Sequence, residues 1–173
     1  MENSSSLNST TPVVEPVSPA LSDYPVVNVD KPSAKMVELL KDITFSRCEI
    51  MTSLTTYLYQ SWITYPQNLQ LSLSLHQIAL AKLAQLNALS KAIVAHGGNP
   101  NFSNSNGAYW SGAYVCHNRC SATFLTSNIA LEKHIIEKYR NLQNETQNAN
   151  LKLLLDQLVS ENVSTIQTFQ AYL

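Results

Sequence analysis

The sequence predicts an all-α fold, a four-helix bundle with one long crossover between its second and third helices, on three observations. Four segments space their apolar residues at intervals of three and four, the period of one helix face. Strand-type alternation is almost absent. Two connections are short, around Pro66 and over Asn144–Asn150, while the third runs from His96 to about Ser121. That pattern suits antiparallel neighbours joined by a single crossover. The 173 residues suit one domain, and a hydrophobic share of 45% is enough to build its core.

The elements follow in order. The opening stretch, "MENSSSLNSTTPVVEPVSPALSDYPVVNVDKP", is rich in Ser, Thr, Pro and Val and has no helical period. Met1 to about Leu21 is expected as a flexible tail and Tyr24–Pro32 as an extended arm. The domain boundary therefore falls between residues 1–32 and 33–173. The Pro-x-x-Pro spacing in the tail follows from this composition and need not be a polyproline ligand. Ser33 suits an N-cap, and Met36, Leu40, Ile43, Ile50, Leu54 and Tyr57 predict one helix ending before Pro66. The second helix starts near Leu69 with the stripe Leu75, Ile78, Ala79, Leu86, Leu89, Ile93, and "HGGNP" supplies its Gly stop and following Pro. A Gly-, Asn- and Ser-bearing loop leads to the third helix, whose stripe is Leu125, Asn128, Ile129, Glu132, Ile136, Tyr139. After "NETQNAN" the fourth carries Leu151, Leu155, Leu158, Asn162, Ile166, Phe169 and Leu173.

Composition narrows the functional classes. A net charge of −1 gives no electrostatic reason to expect nucleic acid or an anionic membrane as partner. No apolar run approaches the roughly 18 residues of a membrane span. "MENSSSLNSTTP" has neither a basic n-region nor an apolar h-region, so no Sec-type signal is expected. Three cysteines do not describe a disulfide framework. A cytoplasmic location is the expectation.

Each stripe has a polar middle except the first. Lys82 falls within about 20° of the centre of the second stripe, and Gln85 lies at its edge. Fully buried lysines are rare unless paired. The first stripe offers Ile50 with Tyr57 seven residues on, the third Glu132 with Tyr139, and the fourth Asn162 with Thr165. Glu49 and Glu161 each lie one residue, about 100°, off their stripe centres. This is the pattern of a di-metal carboxylate bundle without its ligands. Such a bundle points one Glu from each of two helices and Glu-x-x-His from each of the others at two iron or manganese ions.

Several stretches sharpen this into a family resemblance. "YPVVNVDKPSAKMVELLKDI", "TTYLYQSWI", "IALAKLAQLNALSKAI", "GGNPNF…NGAYWSGAYV", "NIALEKHIIEKYR" and "IQTF" occur in the order of corresponding segments of bacterial ferritin-like proteins. The chain thus resembles the rubrerythrin and manganese-catalase relatives common in spore-forming Firmicutes, from Tyr24 to the C-terminus. The resemblance implies a ferritin-like four-helix bundle. It also implies that Ile50, Lys82, Gln85, Asn162 and Thr165 stand at former ligand positions, with Glu132 kept. A one-residue slip of the fourth helix would restore only Glu161.

The cation of Lys82 then takes the place of the metal charge, with Glu132 as its partner in a buried ion pair. The alternative is a rotated second helix whose Lys82 reaches out to solvent. No metal and no other cofactor is expected, and no catalytic residue. The implied role is non-enzymatic, structural or protein-interacting, with a protein partner or a second copy of the chain and a spore association. The rival is an iron- or manganese-dependent oxidoreductase of the rubrerythrin, catalase or ferroxidase type, using Glu49, Glu132 and Glu161.

Other side chains carry weaker signals. Cys116, His117 and Cys120 offer three metal ligands in "CHNRC", but the Cys-x-x-x-Cys spacing lacks a second cluster. A local disulfide or two inert thiols are the alternatives. Cys48 is expected to pack. His76, His96 and His134 lie at helix flanks or ends, and His96 suits the C-terminal carbonyls of its helix. Tyr109, Trp110 and Tyr114 on the crossover are expected to pack over the bundle.

Overall fold

The helices begin where a side chain closes the first turn. In the computed structural model, which describes residues 24–173, α1 spans Ala34–Phe45 and α2 Ile50–Thr64. α3 follows over Leu69–Ala95, α4 over Ser121–Glu145 and α5 over Ala149–Gln170. The Ser33 hydroxyl accepts from the Met36 N–H at 3.2 Å, the Asn68 side chain from Leu71 at 3.0 Å and the Asn148 side chain from Leu151 at 2.9 Å. Each satisfies a donor the helix itself cannot. The tail expected over Met1–Leu21, with its Pro-x-x-Pro, lies outside the described residues.

The fold is the expected all-α four-helix bundle, and among the described residues there is no strand. α2 runs along α3, and α4 along α5. The core gathers Leu40, Leu75, Leu89, Leu125, Leu155 and Leu158, all essentially inaccessible. Tyr57 of α2 meets Phe169 of α5 edge to face at 5.3 Å.

The expected single first helix is two. α1 stops at Phe45, Ser46 turns extended with ψ 171°, and helix resumes at Ile50. Ile43 and Ile50 remain inward across the gap. Between them Ser46, Arg47, Cys48 and Glu49 supply no aliphatic side chain to hold a face in register. The break also corrects two further expectations. Cys48 is exposed in the turn and does not pack, and Glu49 turns inward to become only 4% exposed.

α3 corrects the expectation about apolar runs, because by length and composition it is long and apolar enough to cross a membrane. Those criteria are also met by the central helix of a soluble bundle, and α3 lines the core from Leu71 to Ile93. Its end is set by Gly97, whose φ of +84° suits a residue without Cβ. Gly98 then passes so close to α1 that a Cβ there would lie 2.5 Å from the Val37 Cγ1. His96 is buried, yet neither ring nitrogen has a hydrogen-bond partner, so its side chain does not hold the helix carbonyls as expected.

The crossover is tied to the first two helices. Asp42 accepts from the Ser105 backbone and hydroxyl, both at 2.9 Å, and Lys41 donates to Ser103 at 2.9 Å. The Trp110 indole donates to Thr52 at 2.9 Å and stacks edge-on against Tyr114. Tyr109 points outward instead of packing and is exposed. The arm preceding α1 is extended and docked, with Val27 in the core.

Candidate functional site

Lys82 lies at the centre of the bundle, fully buried, so the rotated-helix alternative is not the arrangement found. Its Nζ donates to the Glu132 Oε2 of α4 at 2.6 Å and to the Asn162 Oδ1 of α5 at 2.7 Å. The Gln85 Oε1, one turn along α3, is 3.4 Å away. The other carboxylate oxygen of Glu132 accepts from the Tyr57 hydroxyl at 2.7 Å. Four helices thus converge on one ammonium and one carboxylate. Burial lowers the Lys82 pKa, an effect the neighbouring Glu132 opposes. Burial pushes the phenols of Tyr57 and Tyr139 well up, and the charge of Glu132 adds to both.

A second layer surrounds this pair. The Gln85 Nε2 donates to Asn162 at 3.1 Å and to Glu161 at 2.9 Å. Glu161 also accepts from the Tyr24 hydroxyl at 2.7 Å and from Gln157 at 3.0 Å. Thr165 turns back to the Glu161 carbonyl at 3.1 Å, and Ile50 offers only hydrocarbon. One turn along α2, Gln60 exchanges hydrogen bonds with Asn128 of α4 at 2.6 and 3.3 Å. Sequence periodicity places Asn128 inward but does not single out Gln60, although it follows Tyr57 by three residues. The Tyr24 contact comes from an arm that periodicity cannot place.

Glu49 forms a separate site. Its Oε1 lies 3.1 Å from the His134 Nε2, while its buried Oε2 has no partner. Burial pushes its carboxyl up to about 8, against the pull of Lys138 and with Asp42 adding to the rise. Glu49 and His134 are therefore joined to each other, and neither was expected inward from its helix face.

Cys116 and Cys120 are free thiols, which sets aside the local disulfide. The His117 ring stacks edge-on against Tyr59 at 5.0 Å. Cys120, at the start of α4, has its pKa lowered by hydrogen bonds from the Thr123 side chain and backbone. Among the described residues, no group of three His, Cys, Asp or Glu side chains is arranged to hold a metal.

The residues of the bundle centre do not fit a pair of divalent ions. Such a pair needs several hard carboxylate oxygens and histidine nitrogens. The bundle centre holds Glu132, the half-buried Glu161, two amides and the Lys82 ammonium, 2.6 Å from the buried Glu132 carboxylate. An ammonium there repels a dication at short range.

No family model and no curated protein sequence matches the chain. Solved structures do match, among them two crystal structures of KatB, a manganese catalase from Anabaena, one described as the wild type and one as from Anabaena PCC7120. Each is 23% identical to this chain, with a TM-score of 0.76 over 83% of this chain and 73% of the other. The likeness is one of fold, the ferritin-like all-α bundle.

Proposed function

We propose that this chain is a ferritin-like bundle whose centre is filled by the Lys82–Glu132 ion pair instead of a metal pair, and that it serves as a structural or protein-interaction module. The observation that carries this reading is the position of Lys82. Its ammonium, fully buried between α3, α4 and α5, contacts the carboxylate that the family resemblance marks as a kept ligand. Ile50, Gln85, Asn162 and Thr165 complete the surroundings with hydrocarbon, neutral amides and a hydroxyl, in place of the carboxylates and histidines that a di-metal bundle uses. On this reading the polar centre fixes which helix faces meet, a role attested for some buried polar groups.

The rival reading, an iron- or manganese-dependent oxidoreductase, is favoured by the likeness to a manganese catalase. It would have to recruit Glu132 with Glu49 and Glu161, yet Glu49 is engaged with His134 and Glu161 with Tyr24 and Gln85. Elemental analysis of untagged protein from iron- and manganese-supplemented cultures separates the two. Trace metal supports the ion-pair bundle. About two ions per chain, the stoichiometry of a di-metal bundle, would overturn it, and peroxide turnover would then be measured. The cytoplasmic location, which rests on composition, and the spore association, which rests on the resemblance, remain part of the proposal.

A further inference from the structure

A cleft of about 630 Å³, a volume ordinary for a small-molecule site, lies beside the break between α1 and α2. α1, the turn after it, the crossover and the end of α4 each supply part of its wall. Leu39, Ile43 and Leu142 give it hydrocarbon, and Asn106, Asn141 and Asn144 set amides around it. Asp42, Glu49 and Glu145 line it too, with Lys35 and Lys138. Most of that charge is engaged. Asp42 accepts from the Ser105 backbone and hydroxyl, and Lys35 is paired with Glu145. Glu49 and Lys138 are left. Glu49 is only 4% exposed, its Oε1 is turned to His134, and its Oε2 has no partner. Lys138 is exposed and, among the described residues, enters no ion pair with Glu49 or with any other carboxylate.

We propose that this cleft binds a free aliphatic amino acid, its ammonium on the Glu49 Oε2 and its carboxylate on the Lys138 Nζ. The two anchors have opposite charge and no ion pair joins them, so a zwitterion supplies to each the partner it lacks. Glu49 is the deep anchor, because a buried carboxylate oxygen is costly to leave without a donor. Burial favours its protonated form, and an ammonium beside it stabilises the ionised one. Lys138 is the outer anchor, on exposed surface where its long side chain can swing onto the ligand. Leu39, Ile43 and Leu142 receive the amino-acid side chain. Other cations suit the cleft less. A divalent ion finds too few ligands, since among the described residues no three His, Cys, Asp or Glu side chains converge. A polyamine would leave Lys138 facing like charge. The cleft lies apart from the bundle centre, so this assignment holds whether or not that centre binds metal.

Isothermal titration calorimetry of the full chain tests it with L-leucine, with isopentylamine, which lacks the carboxylate, and with isocaproate, which lacks the ammonium. Leucine should bind with a dissociation constant of about 1 mM or below, and each of the others at least about tenfold more weakly. Lys138→Met should weaken leucine about tenfold and bring it level with isopentylamine. Glu49→Gln should bring leucine level with isocaproate. Lys133→Met, on exposed α4 surface outside the cleft, should leave all three affinities unchanged. The variants should keep the helical circular dichroism of the parent, and the exposed Lys138→Met carries the test if Glu49→Gln does not fold. Leucine that shows no saturable binding by about 10 mM overturns the proposal. So does binding that isopentylamine or isocaproate matches in the parent, or that Lys138→Met leaves unchanged. Metal content is read separately and bears only on the bundle centre.

Discussion

Lys82 is held by what surrounds it, and substitution should expose that dependence. Lys82→Met leaves Glu132 buried with only the Tyr57 hydroxyl, at an expected cost of about 3–5 kcal/mol. The melting temperature should fall by on the order of 10 °C. Replacing Glu132 with Leu as well should recover most of that loss, since an apolar pair of similar volume can match a buried ion pair. An unchanged melting temperature in Lys82→Met would show that the pair contributes nothing. Glu49 makes a different prediction. Its carboxyl titrates near 4.5 when unfolded and at about 8 when folded, because burial favours the neutral form. The native state therefore holds the proton more tightly, and stability falls as pH rises from about 4.5 through about 8. Glu49→Gln should flatten that slope, read from urea midpoints at the two ends of the window. An unaltered slope would mean that another group titrates there. Of these two carboxylates, helix-face arithmetic places only Glu132 inward. Glu49 escapes it because its orientation is set by a break in the helix.

At the scale of elements, caps and close approaches decide what the periodic pattern cannot. Asn148 closes the first turn of α5 and also donates to the Asn28 carbonyl of the arm at 2.6 Å. Asn148→Ala should cost about 1–2 kcal/mol and speed amide exchange in the arm. Equal exchange would show that the arm is held by Val27 and Tyr24 alone. Gly98→Ala would push a methyl against Val37 and Ile93 and should cost about 1–3 kcal/mol. A neutral result would mean that α1 moves aside freely. The Ser33 cap of α1, the start of α3 near Leu69 and its Gly stop are legible in the sequence, whereas the Asn68 cap emerges only in the structure. The stop of α1 is not legible. Ile43 and Ile50 are seven residues apart, a spacing that an unbroken helix satisfies equally well, so periodicity is blind to the turn between them.

The whole molecule follows from its apolar stripes more directly than from any motif. Four faces, two short connections and one long one suffice for the bundle, and the likeness to KatB is at the same level of fold. What those stripes do not convey is contact between elements distant in sequence. Tyr24 on Glu161, His134 on Glu49 and Gln60 on Asn128 each join residues separated by at least 68 positions.

The burial of Lys82 makes its amine a clock for the opening of the bundle. Lys35 and Lys91 face water and are open to an amine-specific acylating reagent in the native state. Lys82 has no path to the reagent until α3, α4 and α5 part. For a domain stable by even 5 kcal/mol, that requirement slows its labelling by roughly four orders of magnitude. Mass-spectrometric timing of that single acylation would report how often the native bundle comes apart, without denaturant and without a probe added to the chain.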